Sequence, residues 1–248
     1  MSLMCKENIV NMEIEAWKQD AMAEFQSKLL DKEALFPCIP ANAGLQLDHF
    51  RYGFVTDPRS PLSANQLASL LKEYTLISKG LGNYTSLIVF YDTPKELAEE
   101  LNVGDFQTLF WEQLNYASRE DEEAWPMEIP LDPDHSLWEY CFHGERYFMY
   151  CATPAHSNRK SRFFPYFMLA ITPRWVLEDF HATPKSATKI KSKIRKRLEM
   201  YDAVPIHPDL NSYGQQDNYE WKQYFLHDDA SSSPMCPFHQ NLNKKTTS

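Results

Sequence analysis

Residues 86–91 read Ser-Leu-Ile-Val-Phe-Tyr, a compact β-prone run with no charge in it. Such a run reads as a buried strand, and a buried strand needs a sheet and a core around it. The chain has the material for both. Of its 248 residues 43% are apolar, and 15 Phe, 13 Tyr and 6 Trp lie among them. That richness excludes intrinsic disorder for the bulk of the chain. The length fits one or two domains, with one preferred. The net charge of −9 argues against a nucleic-acid surface spread over the whole protein.

The apolar spacing on either side of this strand alternates between helix and strand patterns. Ile14, Trp17, Ala21, Phe25 and Leu29 recur at steps of three or four and predict a helix over 12–30. Pro37 and Pro40 then end it and force an extended, irregular path around Cys38. A short strand is predicted over 49–55. A second helix is marked by Leu67, Leu70, Leu71, Tyr74 and Ile77. Thr93-Pro94-Lys95-Glu96 reads as a capping box opening a short helix to about Leu101. Another helix starts near Asp105 and turns Phe106, Leu109, Phe110 and Leu114 inward.

The stretch 117–136 is acidic, then proline-rich, and reads as a solvated connection. Two strand candidates, 144–153 and 165–173, flank the basic turn 154–164 and predict a hairpin with a long loop. Residues 185–200 form a helix with a narrow stripe of Ile190, Ile194 and Leu198 among seven Lys and Arg. It reads as a solvated surface helix rather than a nucleic-acid contact, given the acidic whole. Trp221, Tyr224 and Phe225 are expected to anchor the tail, and 241–248 to be disordered. The pattern as a whole predicts an α+β fold: one domain over 1–240, with a mixed or antiparallel sheet flanked by helices. No signal peptide or membrane-length apolar run is seen, so a cytoplasmic protein without membrane contact is expected.

Few chemistries are announced by motif. Gly80-Leu81-Gly82 is the one close glycine pair, and it has neither the third glycine nor the following Lys-Ser/Thr of a phosphate cradle. No G-x-S-x-G, H-E-x-x-H or C-x-x-C occurs. Five Cys at irregular spacing do not suggest a disulfide framework. His156 stands out because Arg159, Lys160 and Arg162 follow it in the basic turn. Cations there favour neutral imidazole, the form that binds iron. Cys236, followed by Pro237, and Cys38, preceded by Phe36-Pro37, are loop thiols of the kind that can bind haem iron.

Taken together, FPCIPA, RYGFV, PAHSNRKSRFFP, YGQQDNYEWKQYFLHDD and the terminal CPF resemble the YqcI/YcgG family of bacterial proteins, from about Phe36 to Phe238. A distant branch of that family comprises haem-dependent N-hydroxylases. The resemblance therefore implies haem b and activation of dioxygen, with oxygen transferred to a guanidino or amine nitrogen of a small molecule. It implies His156 first and Cys236 second as the axial ligand of the haem iron, with Cys38 a third candidate. Arg159 and Arg162 are the expected partners of the haem propionates. Asp121 or Glu123 would hold a cationic substrate. One departure stands out. The hydroxylase branch has His-Pro-x-x-Ser-Arg, and alignment on Arg159 and Phe164 puts Pro154 where that His stands. The histidine here comes two residues later, about 7 Å along an extended chain. The alternative reading is a non-catalytic binding or stress-related protein of the same fold.

Overall fold

The computed structural model describes residues 2–181, 184–213 and 215–239. Five strands form one mixed sheet: β1 (Arg51–Val55), β2 (Leu87–Tyr91), β3 (Tyr140–Phe142), β4 (Glu145–Ala152) and β5 (Met168–Pro173), in the order β1-β2-β5-β4-β3. Only β1 and β2 run parallel; the other neighbours are antiparallel. The helices, in chain order, are α1 (Lys6–Asn11), α2 (Ala16–Leu30), α3 (Ile39–Gln46), α4 (Ser63–Ile77), α5 (Lys95–Glu100), α6 (Val103–Arg119), α7 (Arg174–His181), α8 (Pro184–Tyr201) and α9 (Glu220–Tyr224). This is the expected α+β class, with helices against a mixed sheet.

The buried run at 86–91 explains the layering. Side chains alternate across a strand. Leu87, Val89 and Tyr91 enter one apolar cluster, with α4, α6 and α9. Ile88 and Phe90 enter the other, with α2 and α3. A strand apolar on both sides is thereby covered on both sides. The parallel β1–β2 pair needs a crossover, and α4 lies within it. That helix approaches closely because Gly53 has no side chain: a Cβ there would stand 2.5 Å from Leu70 Cδ1.

Two local expectations are revised. Pro94 flanks α5, but the Thr93 hydroxyl does not cap it. Thr93 Oγ1 donates to Tyr91 O (2.8 Å) and accepts from Phe167 N (2.9 Å). Buried backbone groups at the strand ends must be paired, and that need outweighs the helix cap. The capping box forms instead at Asn102 and Asp105, opening α6. The irregular path after α2 is also shorter than expected. Cys38 stands at the N-cap position of α3 without a side-chain capping bond, and Pro40 sits in the first turn, where a missing N–H costs nothing.

The other segments follow the pattern. β4 and β5 form the expected hairpin, Trp221, Tyr224 and Phe225 are buried, and 117–136 has no regular element beyond the end of α6. The expected disordered tail, 241–248, lies outside the described residues. Among the described residues no helix is long and apolar enough to cross a membrane.

Candidate functional site

The second face of the sheet carries a cavity of about 320 Å3. Its floor comes from alternate residues of three neighbouring strands: Ser86 and Ile88 at β2, Ala170 and Thr172 on β5, Phe148 and Tyr150 on β4. Ala170 is paired in register with Ile88 on one side and Tyr150 on the other. A methyl between two large side chains leaves the depth unfilled. Phe25 and Leu29 of α2, Phe36, and Val176 and Leu177 of α7 wall it, and α8 contributes Ile194. The lining is overwhelmingly apolar, as ligand pockets of this size usually are.

Among the described residues its charged groups are two lysines, Lys28 and Lys191, and no carboxylate lines it. Lys28 is held in place. Its Nζ donates to Lys160 O (3.0 Å) and lies 5.5 Å from the centroid of the Phe36 ring. Burial pushes its pKa down to about 8, against the pull of Asp202. At neutral pH it is mostly a cation facing an apolar space. The floor also carries the Ser86–Thr172 hydroxyl pair, 2.7 Å apart.

Cys38 also lines the cavity. It keeps accessible surface, yet the protein around it is dense enough to push its thiol pKa up, with the Ala41 N–H of the first turn of α3 pulling the other way. It is a free cysteine.

The other sequence-predicted site residues stand elsewhere. His156 is 2% exposed and lines no part of the cavity. Its Nδ1 pairs with Thr153 Oγ1 (2.9 Å) and its Nε2 with Leu226 O (2.9 Å). Its pKa is pushed down to about 4, first by burial and also by Arg162 and Arg159. The imidazole is neutral, as the sequence suggested, but burial rather than the basic turn is the larger cause. Both ring nitrogens are engaged within the protein.

Arg159 and Arg162 are also turned to structural use. Arg159 Nε donates to His227 O and Nη2 to Asp229 O, both at 2.9 Å. Arg162 donates to Tyr224 O (3.0 Å) and Gln223 O (2.9 Å). A buried guanidinium must satisfy its fork of donors, and here backbone carbonyls of the tail do so. Neither arginine lines the cavity, and Lys28 and Lys191 are the cations that do. Asp228 completes the clamp by accepting the backbone N–H groups of Ser157, Asn158 and Arg159. The basic turn is thus a fastening between the hairpin and the tail.

Cys236 packs at the edge of the first core, its thiol pushed up to about 12 by burial. Its neighbour Phe238 is the anchor there, 5.6 Å from Trp138 and 5.5 Å from Tyr140 between ring centroids. Asp121 Oδ2 accepts from His143 N and Oδ1 from Glu123 N, and neither acid reaches the cavity. A buried cluster that the sequence did not announce joins Arg174 to Glu139 (2.6 Å) and to Glu220. Among the described residues no group of three or more His, Cys, Asp or Glu is arranged to hold a metal ion.

Of the five candidate cofactor residues, Cys38 alone is brought to the cavity. Lys28 escaped the sequence reading although it follows Phe25 by three residues, on the buried side of α2. Lys191 was read only as part of a solvated face.

Comparison with known proteins agrees with the resemblance read from the motifs. The YqcI/YcgG family model matches residues 25–239. The chain is 51% identical to the uncharacterized protein YqcI of Bacillus subtilis over 234 residues, covering 94% of this chain and 92% of that one. It is 45% identical to the uncharacterized protein YcgG of the same organism, covering 92% and 90%. It is 28% identical to a putative N(omega)-hydroxy-L-arginine synthase, DcsA, of Streptomyces lavendulae, covering 91% and 85%. No solved structure matches the chain.

Proposed function

The chain belongs to the YqcI/YcgG family, and from that premise we propose that it is a haem-dependent N-hydroxylase acting on a guanidino or amine nitrogen of a small molecule in the Cys38 cavity. The observation that carries the reading is the lining: a thiol, two cations and a hydroxyl pair in a largely apolar, aromatic space. The name of DcsA, a relative over most of both chains, supplies the reaction class.

The residues suit haem b. Its macrocycle is apolar and its two propionates are anionic; the cavity offers apolar walls, and Lys28 and Lys191 for the propionates. Cys38 is the residue that would hold the iron, since a thiolate binds haem iron and His156 is engaged elsewhere. Burial holds the thiol protonated, with the Ala41 N–H opposing it, and bound iron would displace that proton. Haem in this site would supply dioxygen activation.

The remaining residues position the substrate and exclude water. Among the described residues no carboxylate lines the cavity, so the lining favours the deprotonated, uncharged form of a guanidino or amine nitrogen. The Ser86–Thr172 hydroxyl pair is able to hydrogen-bond it. The aromatic walls keep the space dry.

The test is an absorption spectrum of protein purified from haem-supplemented cells, before and after dithionite and then carbon monoxide. A stoichiometric Soret band with a thiolate-type carbon monoxide complex is expected. A folded protein with no band, even after haem addition, would overturn the reading in favour of a non-catalytic binding protein.

A further inference from the structure

α8 has two sides of unlike chemistry. Lys191 and Ile194 line the cavity. Lys189, Lys193 and Lys196 follow one another at i, i+4 and i+7, which sets them on a single stripe. At 3.6 residues per turn that stripe points away from the residues that line the cavity. All three lysines are exposed, and none has an ion-pair or hydrogen-bond partner among the described residues. The arginines of the same helix differ: Arg195 donates to Leu210 O and Arg197 to Phe36 O. The helix holds seven Lys and Arg against Glu199 alone, in a chain of net charge −9.

We propose that this stripe docks an acidic one-electron carrier protein that supplies the electrons for N-hydroxylation; the proposal rests on the haem reading above. The balance requires such a donor. One N–H bond, dioxygen, two electrons and two protons give one N–OH bond and one water. The N–H bond supplies two of the four electrons that dioxygen takes up, and the other two come from outside. The chain lacks the glycine-rich phosphate cradle with which Rossmann-type domains hold a nicotinamide or flavin dinucleotide. A carrier on the stripe sits one helix diameter, about 10 Å, from the cavity. Three cations without partners among the described residues offer an acidic surface complementarity that speeds encounter. Nucleic acid is the competing polyanion, and it supplies no electrons for the balance above.

The experiment uses the haem-loaded full chain and a reduced plant-type [2Fe–2S] ferredoxin, an acidic protein, as the probe. Stopped-flow measures the rate of haem reduction at several ionic strengths for the wild type and for the triple variant Lys189→Glu, Lys193→Glu, Lys196→Glu. The expected result is at least a tenfold slower rate in the variant at low salt and a flattened salt dependence, with the Soret band and reduction by dithionite unchanged. Equal rates in variant and wild type would sink the proposal while leaving the haem reading intact. A protein that takes up no haem fails the haem reading. Docking is then judged by fluorescence anisotropy with labelled ferredoxin, where salt-sensitive binding lost in the triple variant sustains the surface and its absence overturns it. A 20-base-pair DNA duplex that outcompetes ferredoxin for the stripe would also overturn it.

Discussion

The Arg162 guanidinium stacks 4.3 Å from the centroid of the Tyr150 ring, and Tyr150 is part of the floor of the Cys38 cavity. The same guanidinium donates to Tyr224 O, Gln223 O and Cys151 O. The tail, the sheet and the cavity floor are therefore joined through one cation. Arg162→Met leaves three buried carbonyls without a donor. It should lower the unfolding free energy by about 3 kcal/mol, measured by urea titration. Arg162→Lys should recover little, because an ammonium replaces neither the planar fork nor the stacking. A loss below about 0.5 kcal/mol in Arg162→Met would show the clamp to be dispensable.

Cys38, His156 and Cys236 make opposed predictions for haem. Cys38→Ser should remove the thiolate-type carbon monoxide spectrum and weaken haem retention at least tenfold. Cys236→Ser and His156→Gln should keep that spectrum, because neither residue lines the cavity. Spectra of the three variants after gel filtration decide the matter; a spectrum lost in His156→Gln but kept in Cys38→Ser would refute the assignment.

Ala170 sets the depth of the cavity between Ile88 and Tyr150. Ala170→Leu adds three carbons to a space already empty, so the fold should survive with a shift in Tm of a few degrees at most. Binding of haem, or of a fluorescent apolar probe, should fall at least tenfold. Unchanged binding by a folded Ala170→Leu protein would place the ligand elsewhere.

His156 gives a pH signature of stability. Its folded-state pKa is pushed down to about 4 from an ordinary 6.5, so the unfolded chain holds more protons between these values. Stability is then fully present above pH 6.5 and is lost as pH falls toward 4. The loss amounts to about 3 kcal/mol if burial is retained throughout. Urea titrations from pH 7 to pH 4.5 should show this slope in the wild type and a shallower one in His156→Gln. Parallel slopes would assign the acid sensitivity to other groups.

How much of this was legible beforehand differs by kind. The strand at 86–91, the amphipathic helices and the hairpin flanking the basic turn could all be read, because period and β-propensity act within a few residues. The capping box at Thr93 was misread for the opposite reason. Whether a hydroxyl caps a helix or pairs with strand ends depends on Phe167, 74 residues away. In the same way the basic turn suggested a reactive loop, yet its arginines are spent on carbonyls of residues 223–229, which local sequence cannot place beside them.

The sequence by itself determined the class of fold, the family and the inventory of candidate groups, Cys38 among them. Only the tertiary structure decided which group matters. A cavity arises where Ala170 falls in register between two large residues from other strands, with Lys28, Cys38 and Lys191 brought to it from three separate helical regions. Such a site is a property of packing between segments more than a hundred residues apart, and burial and charge take their values only once those segments meet.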